Sequence, residues 1–458
     1  MLGKTKRIHF VGIGGIGMSG IAELLANQGF QISGSDKRSS AITEHLSKIG
    51  ITVSIGHDPK LVENADVVVK SSAVHDDNPE VAAAIAKKIP VIRRAEMLAE
   101  IMRMSYGIGI AGTHGKTTTT SMVGMVLQAA KLDPTLIVGG IVKNFGSNNL
   151  LGSSKYIVVE ADEFDRSFLT LSPIIAGITN IEADHLDCYE NLDKIKEAFI
   201  QYANKVPFFG STIVCIDDHG VQSIIPQINK HLVTYGLSRQ ADIRAESIEM
   251  KDFQASYSLL FHGYRLGQIN LKVSGMHNIL NSLLAVGVGL ELEIPFDKIA
   301  KGLLEYSGVF RRFEFKGKLN DILFYDDYAH HPTEIEATLK GVRDNTNRRV
   351  VAIFQPHLFS RTRDFYQEFG RSFYHSDILL VTPIYPAREV PIEGVTGKLI
   401  SDAALQYGHK HVIYIDNNDD ILPKINEIVK SGDIVITMGA GSIYRYGEKF
   451  LKEYEKTI

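Results

Sequence analysis

Residues 111–120 read AGTHGKTTTT and follow the apolar stretch YGIGI. A glycine-rich loop between a strand and a helix, closed by a Lys-Thr pair, is the arrangement in which backbone N–H groups hold phosphates. Its lysine neutralises the β and γ oxygens, and its threonine hydroxyl reaches Mg²⁺. Lys116 and Thr117 occupy these positions, although Ile110 stands where the usual pattern has its first glycine. The stretch predicts an ATP site, and the alternative is a glycine-rich turn without a ligand.

A second glycine-rich turn lies about 100 residues earlier, where residues 11–20 read VGIGGIGMSG. Its G-x-G-G-x-G pattern is formed by Gly12, Gly14, Gly15 and Gly17. With Asp36 at the end of the next predicted strand, this pattern predicts a diphosphate at a helix N-terminus and a carboxylate near a ribose. Three interpretations are open: a nicotinamide-dependent oxidoreductase, a site for another diphosphate such as a nucleotide sugar, or glycines that serve packing only. The separate ATP loop weighs against a simple dehydrogenase, because hydride transfer does not need ATP.

Acidic side chains follow two of the predicted strands near the ATP loop. Glu160 ends an apolar run in VVEADEFD, and Glu182, Asp184 and His185 follow another in TNIEADHLD. Because the carboxyl ends of parallel strands meet at one edge of a sheet, we expect these groups to lie near the loop. Taken alone, such acids are more often solvated loop residues, and a lone histidine such as His185 is more often structural than a ligand. Their occurrence together with the loop favours a magnesium site.

Short apolar strands alternate with helical stretches along most of the chain, which predicts an α/β fold with mostly parallel sheets. The alternation restarts before the ATP loop and again after YSGVFRRFEFKG, while an antiparallel hairpin is predicted to turn at His262-Gly263. We therefore expect three domains. They are a Rossmann-like domain over residues 1–104, a central P-loop ATPase-like domain over residues 105–311 and a C-terminal Rossmann-like domain over residues 312–458.

The composition is that of an ordinary soluble globular protein. Of 458 residues, 44% are apolar and 22% are charged. The formal net charge of -4 excludes a globally basic nucleic-acid-binding protein, so small molecules are the expected partners. No stretch approaches the ~18 continuous apolar residues of a membrane span, and the N-terminal sequence has no secretory pattern. We therefore expect a cytoplasmic protein that does not bind membranes, either a monomer or a homodimer.

The chain resembles the Mur ligases, ATP-dependent enzymes of peptidoglycan precursor synthesis, over essentially its whole length. The motifs that carry the resemblance occur in order: VGIGGIGMSGIAE, AGTHGKTTTT, EADEFDRSFL, TNIEADHLD, SGMHNILNSLLA, RRFEFKG, DDYAHHPTEI and QPHLFSRTRD. The first loop is similar to that of members acting on UDP-N-acetylmuramate and L-alanine, and it differs from the usual loop of the peptide-recycling members. The resemblance implies that the two phosphate loops serve two substrates, a UDP-sugar and ATP.

The resemblance also implies which residues bind each substrate. The UDP-sugar would be bound by Gly14, Gly15, Gly17, Asp36, Ser71 and Ser72. ATP would be bound by Gly112, Thr113, His114, Gly115, Lys116, Thr117, Thr118, Asn278, Asn281, Arg312 and Asp327. Magnesium would be held by Thr117, Glu160 and His185, and catalysis would depend on Lys116, His185 and Arg312. These types suit the roles, since Asn amides can both donate to and accept from a purine edge and a guanidinium can neutralise a phosphate.

The incoming amino acid is implied to lie in the third domain. The candidate residues there are His330, His331, His357, Arg361 and Arg363. Many relatives have arginine directly after the histidine of the QPH motif, whereas Leu358 stands at that position here. Arg361 is therefore the better candidate for holding the amino-acid carboxylate. The implied reaction is carboxylate attack on the γ-phosphate to give an acyl phosphate, followed by attack of the amine, and the sequence leaves open which histidine assists deprotonation.

Overall fold

A computed structural model describes five stretches of the chain: residues 4–71, 73–164, 166–184, 186–387 and 389–455. The chain forms two compact units. The first unit contains Met1–Ile248, Tyr257–Leu271 and Leu280–Tyr306. The second unit contains Glu249–Ser256, Lys272–Ile279 and Ser307–Ile458. Strands and helices alternate in both units and most strand pairs are parallel, so the predicted α/β fold is confirmed.

The first sheet of the first unit has five strands, all parallel, in the order β3-β2-β1-β4-β5. Its strands are β1 (Arg7–Val11), β2 (Gln31–Asp36), β3 (Thr52–Ile55), β4 (Val67–Lys70) and β5 (Val91–Arg93). Its helices are α1 (Ile16–Asn27), α2 (Ala41–Lys48), α3 (Pro79–Ala86) and α4 (Arg94–Arg103). The strand order reverses direction at β1, and ligands of such sheets bind beyond the carboxyl ends of the strands at that point. The glycine-rich turn after β1 lies there.

A buried glutamate joins the strands beneath this turn. Glu80 is fully buried in α3 and bonds to His9 Nε2 of β1 at 2.8 Å and to the Ser35 hydroxyl of β2 at 2.7 Å. His57 Nδ1 and the Asp58 backbone N–H reach its other oxygen at 3.0 and 3.2 Å. Burial alone would raise the pKa of Glu80, but the hydrogen bonds from His9, Ser35 and His57 outweigh it and lower the pKa. The network therefore favours a carboxylate that fixes β1 and β2 relative to α3.

The second sheet has ten strands in the described part of the chain, in the order β15-β14-β13-β12-β11-β10-β6-β9-β7-β8. Its strands are β6 (Tyr106–Ala111), β7 (Thr135–Val142), β8 (Ser147–Leu150), β9 (Tyr156–Glu160), β10 (Ile175–Ile178), β11 (Ser211–Cys215), β12 (His231–Gly236), β13 (Ile243–Lys251), β14 (Gln254–Phe261) and β15 (Tyr264–Leu271). The helices in this part are α5 (Lys116–Ala129), α6 (Leu186–Tyr189), α7 (Leu192–Ala203), α8 (His219–Ile224), α9 (Met276–Glu291) and α10 (Phe296–Glu305). The strand β6 pairs in parallel with β9 on one side and with β10 on the other. The ATP loop follows β6 and therefore lies in the middle of the edge formed by the carboxyl ends of these strands.

The predicted hairpin turning at His262-Gly263 is confirmed. These two residues join the neighbouring strands β14 and β15, and both have positive φ angles, 48° and 82°. Two-residue hairpin turns of this kind match the natural twist of the strands and favour glycine at the second position.

The third sheet lies in the second unit and has the order β16-β17-β21-β18-β19-β20. Its strands are β16 (Glu314–Leu319), β17 (Ile322–Asp327), β18 (Val350–Phe354), β19 (Ile378–Val381), β20 (Val412–Tyr414) and β21 (Ile434–Met438). Its helices are α11 (Pro332–Asn345), α12 (Phe359–Ser372), α13 (Lys398–Gln406), α14 (Ile421–Ile428) and α15 (Tyr444–Glu455). Among the described strands of this third sheet, β16 alone pairs antiparallel, as an edge strand beside β17. Among the described helices of both units, none has the length and apolar character needed to cross a membrane.

Candidate active site

The ATP loop connects β6 to α5 in a conformation that requires its glycines. Gly112 and Gly115 have φ angles of 137° and 83°, in the region that side chains disfavour. A Cβ atom on Gly112 would lie 1.8 Å from Thr179 Oγ1, and one on Gly115 would lie 2.5 Å from Asn281 Oδ1. Ile110, at the position where the usual pattern has glycine, is a fully buried residue of β6. The loop therefore keeps its tight geometry without a glycine at that position.

The segment after β10 holds the loop in place. The backbone N–H groups of Thr113 and His114 donate to Asn180, to its carbonyl at 3.0 Å and its side-chain oxygen at 2.8 Å. The Glu182 N–H donates to Thr113 Oγ1 at 2.9 Å. The strand ends thus converge on the loop as the sequence predicts. Asn180 was not among the predicted residues, and its position directly after an apolar strand was the signal that could have found it.

The Lys116 ammonium lies within the loop. It donates to the carbonyls of Gly112 and Thr113 at 2.8 and 3.2 Å and pairs with the Glu163 carboxylate at 2.8 Å. Burial alone would lower the pKa of Lys116, but Glu163, Asp162 and other nearby carboxylates outweigh it and raise the pKa. The lysine therefore carries its charge at the position where phosphate oxygens of ATP are expected.

Glu160 ends β9, and its two carboxylate oxygens have different surroundings. Its Oε2 accepts from the Gly139 N–H at 2.6 Å, while its buried Oε1 has no hydrogen-bond partner among the described residues. Burial raises the pKa of Glu160, and the Thr117 hydroxyl and the Lys116 ammonium oppose that rise. A buried carboxylate oxygen with a hydroxyl beside it fits the oxygen ligands that Mg²⁺ prefers. His185, the third predicted ligand, lies outside the described residues.

The residues predicted around the nucleotide base and ribose belong to both units. In the first unit, Asn281 Oδ1 accepts from the Thr119 hydroxyl at 3.1 Å, next to Gly115. Thr118 is largely buried in the first turn of α5. In the second unit, the Asn278 amide donates to the Ser274 carbonyl at 2.7 Å. Both asparagine side chains are thus held by hydrogen bonds to other residues of the protein.

Asp327 and Arg312 lie together in the second unit. Asp327 ends β17 and accepts from the Ala329 N–H at 3.0 Å and the Thr338 hydroxyl at 2.8 Å. Burial raises the pKa of Asp327 to about 6, and the Arg312 guanidinium is the largest influence opposing it. Arg312 donates to Glu334 Oε1 at 3.3 Å. The second unit therefore presents a cation and a carboxylate at the carboxyl end of β17, where ligands of parallel sheets bind.

We expect Asp327→Asn to raise the free energy of unfolding by about 3 kcal/mol at about pH 8. The wild-type pKa rises from 3.8 in the unfolded chain to about 6 in the folded protein, so the ionised carboxylate destabilises the fold. This destabilisation grows as the pH rises from 3.8 to about 6, and it reaches its full size above that range. Denaturant unfolding at about pH 4.5 and about pH 8 measures the effect. An equal difference between variant and wild type at both pH values would contradict it.

Two of the predicted amino-acid-binding histidines lie side by side in the second unit. The ring centroids of His330 and His357 are 5.8 Å apart, and His357 stacks on Tyr385 at 5.8 Å. The His330 backbone N–H donates to Glu334 Oε2 at 3.0 Å, and the ring Nδ1 lies 2.9 Å from the Tyr328 carbonyl. The imidazoles are therefore held in fixed orientations at the carboxyl ends of β17 and β18.

The residues after the QPH motif separate the two arginine candidates. Leu358 precedes α12 with a φ of 72°, which is unusual for a side chain of this type. Arg361 lies buried in the first turn of α12. Arg363 is more than half exposed and pairs with its neighbour Asp364. Arg361 stays the predicted residue for holding the amino-acid carboxylate.

The first glycine-rich turn brings together four of the six residues predicted for the UDP-sugar. Asp36 Oδ2 accepts from the Gly14 N–H at 2.9 Å, and a Cβ on Gly14 would lie 2.8 Å from that oxygen. Ser71 follows β4 on the other side of β1, and its N–H donates to the Val11 carbonyl at 3.2 Å. Gly15 caps α1. Ser72 lies outside the described residues.

Arg94 is a further candidate that the sequence did not indicate. It begins α4, and a Cβ on Gly17 would lie 3.2 Å from its guanidinium nitrogen. A guanidinium at the first turn of α1 adds positive charge where a diphosphate would meet the helix N-terminus. Nothing in the local sequence of α4 distinguishes this arginine from a surface residue, because its proximity to Gly17 arises only from the fold.

Comparison with known proteins decides the family. Three family models match in succession: Mur ligase family, catalytic domain, over residues 7–106; Mur ligase middle domain over residues 110–289; and Mur ligase, glutamate ligase domain, over residues 311–441. A curated protein of Geotalea daltonii named UDP-N-acetylmuramate--L-alanine ligase is 51% identical over 453 residues, 99% of each chain. The chain belongs to the Mur ligase family. All eight motifs noted in the sequence fall within this full-length similarity.

Solved Mur ligase structures share the fold. The UDP-N-acetylmuramate-alanine ligase MurC of Thermotoga maritima is 29% identical, with a TM-score of 0.80 and coverage of 99% of this chain and 100% of that chain. The MurF ligase of the same organism, solved in complex with ADP, is 16% identical with a TM-score of 0.65 and coverage of 99% of each chain. At 16% identity, the similarity to this MurF ligase shows a shared fold and nothing more.

Proposed function

We propose that this Mur ligase joins L-alanine to the carboxylate of UDP-N-acetylmuramate at the expense of ATP, in the synthesis of peptidoglycan precursors. The observation that carries the proposal is the pair of phosphate loops in the first unit, each followed by a helix N-terminus. Full-length similarity to curated proteins of that name supports the choice of substrates. Substrates of this kind fit a cytoplasmic site of action.

The division of the chain follows from this proposal. Residues 1–104 bind the UDP-sugar, residues 105–311 bind ATP and residues 312–458 bind the amino acid. In the first of these, the N-terminus of α1, which begins after Gly15, holds the diphosphate, and Asp36 accepts from the uridine ribose. The three sheets, each with its own set of strands, support this division.

The chemistry begins with phosphoryl transfer. A carboxylate oxygen of the UDP-sugar attacks the γ-phosphorus, the bond to the β-γ bridging oxygen breaks, and ADP leaves. Lys116 neutralises the charge that moves onto the leaving oxygens, and Arg312 would act on the transferred phosphoryl group. Thr117 and Glu160, with His185 by the family pattern, would hold a magnesium ion that neutralises the same oxygens when bound.

Amide formation follows. The alanine amine attacks the acyl carbon, a tetrahedral intermediate forms, and inorganic phosphate leaves with the electrons of the acyl–oxygen bond. Arg361 would hold the alanine carboxylate, since a guanidinium binds a carboxylate through two parallel hydrogen bonds. The amine must lose a proton, and the imidazole of His330, His331 or His357 would accept it.

Calorimetry tests the nucleotide preference of the first loop. We expect saturable binding of UDP-N-acetylmuramate and none of NADH or NADPH, because the ATP loop in the same chain favours a ligase over an oxidoreductase. Asp36→Ala should weaken UDP-sugar binding by about tenfold, the effect of losing one or two hydrogen bonds to a ribose. Saturable binding of a nicotinamide cofactor without binding of the UDP-sugar would favour the oxidoreductase instead.

A further inference from the structure

The Lys116 ammonium is already saturated with hydrogen bonds inside the loop. It has three N–H donors, and its three acceptors are the Gly112 carbonyl, the Thr113 carbonyl and the Glu163 carboxylate. A phosphate oxygen can therefore bond to this ammonium only by replacing one of them. Two of the acceptors are backbone groups of the loop itself, and the third is a side chain from a distant part of the sequence.

Glu163 is the acceptor that a phosphate would replace. It carries the same sign of charge as a phosphate, so both anions compete for one cation. Its side chain is only 4% exposed, and its backbone carbonyl accepts from the Tyr189 hydroxyl at 2.6 Å and the Arg166 N–H at 3.0 Å. The Glu163 backbone is therefore anchored beside the loop, and its carboxylate is held there by Lys116.

We propose that Glu163 is a positioning residue that holds the Lys116 ammonium in the loop before ATP arrives and releases it to the phosphates. The inference rests on the proposed ATP site and adds a counter-ion to it. Displacing the carboxylate offsets part of the attraction between Lys116 and the nucleotide. ATP and ADP consequently bind more weakly than the loop alone would bind them, which assists the release of ADP after each turnover.

The protonation behaviour of Glu163 is consistent with such a release. Burial raises its pKa to about 7, and Lys116 is the largest influence opposing that rise. Once the ammonium has moved to a phosphate, the buried carboxyl loses that opposing charge and can take up a proton near neutral pH. A buried unpaired charge is thereby avoided, so the exchange of partners is energetically accessible.

The test is calorimetry of Mg·ATP binding to the full chain without UDP-sugar or amino acid, so that no turnover occurs. We expect Glu163→Gln to lower the ATP dissociation constant by about fivefold or more, the size of a typical coupling between two competing groups. In steady-state assays, the KM for ATP should fall while kcat does not rise. Glu163→Asp keeps the negative charge and should restore a dissociation constant close to that of the wild type.

Two controls separate competition from a general effect on the fold. Asp162→Asn removes a neighbouring, exposed carboxylate that acts on Lys116 only through space, and it should change the dissociation constant less than Glu163→Gln does. In a Lys116→Ala background, Glu163→Gln should have no effect on ATP binding. Unchanged or weaker ATP binding by Glu163→Gln would overturn the inference. Failure of the wild type to bind ATP would contradict the ATP site itself.

Discussion

Lys116→Ala is expected to reduce kcat by on the order of 10²-fold or more, roughly 3 kcal/mol of transition-state stabilisation. The reason lies in the position of the ammonium. Lys116 begins α5, and its ammonium lies inside the ATP loop, where it contacts the Gly112 carbonyl and the Glu163 carboxylate. Charge on the β and γ oxygens changes most while the phosphoryl group is transferred, so a cation there stabilises the transition state more than bound ATP. The dissociation constant of ATP should therefore change less than kcat.

The same variant tests the division between the two loops. The turn proposed to bind the UDP-sugar connects β1 to α1 and lies beside β2, whereas the ATP loop follows β6, a strand of a different sheet. The dissociation constant of UDP-N-acetylmuramate should accordingly stay close to that of the wild type. Lys205→Ala, at an exposed lysine of the first unit, serves as the control for loss of a positive charge. Turnover within a few-fold of wild type, or loss of sugar binding together with activity, would contradict the assignment.

Glu160→Gln is expected to raise the magnesium concentration needed for half-maximal turnover by about tenfold or more. The substitution keeps the shape of the side chain and removes the charge from Oε1, the buried oxygen without a hydrogen-bond partner among the described residues. Because burial disfavours the carboxylate, a neutral side chain at this position should leave the fold at least as stable. Magnesium titration of phosphate release, with circular dichroism of the variant, provides the measurement.

His185→Ala should shift the magnesium titration in the same direction, since the family pattern makes it a ligand. Asp162→Asn, two residues from Glu160 and exposed, is the matched control and should shift it little. An unchanged titration for Glu160→Gln would remove this residue from the metal site, and an unchanged titration for His185→Ala would make that histidine structural.

The features predicted from the sequence are those formed by residues that lie close together along the chain. Lys116 and Thr117 were found because strand, loop and helix follow one another within a few residues. The hairpin at His262-Gly263 was found because alternation and turn residues are adjacent. The edge strand β16 was not assigned, since the alternation of Phe315 with Glu314 and Lys316 is short and is interrupted at Gly317.

The site residues that escaped prediction depend on contacts between distant positions. Asn180 bonds to the loop from 66 residues away, and Glu163 reaches Lys116 across 47 residues. Arg94 meets Gly17 only because α4 packs beside α1. The contacts of these side chains with the phosphate loops arise only on folding, although the position of Asn180 shortly after an apolar strand was a signal for that residue.

Phosphate release with ATP, UDP-N-acetylmuramate and a panel of amino acids tests the central claim most directly. The claim is that two phosphate loops in one chain serve two substrates whose activated carboxyl group is captured by L-alanine. We predict sustained phosphate release only when all three substrates are present, with the highest kcat/KM for L-alanine among the amino acids tested. Release at the same rate without UDP-N-acetylmuramate, or without any dependence on the amino acid, would contradict the claim.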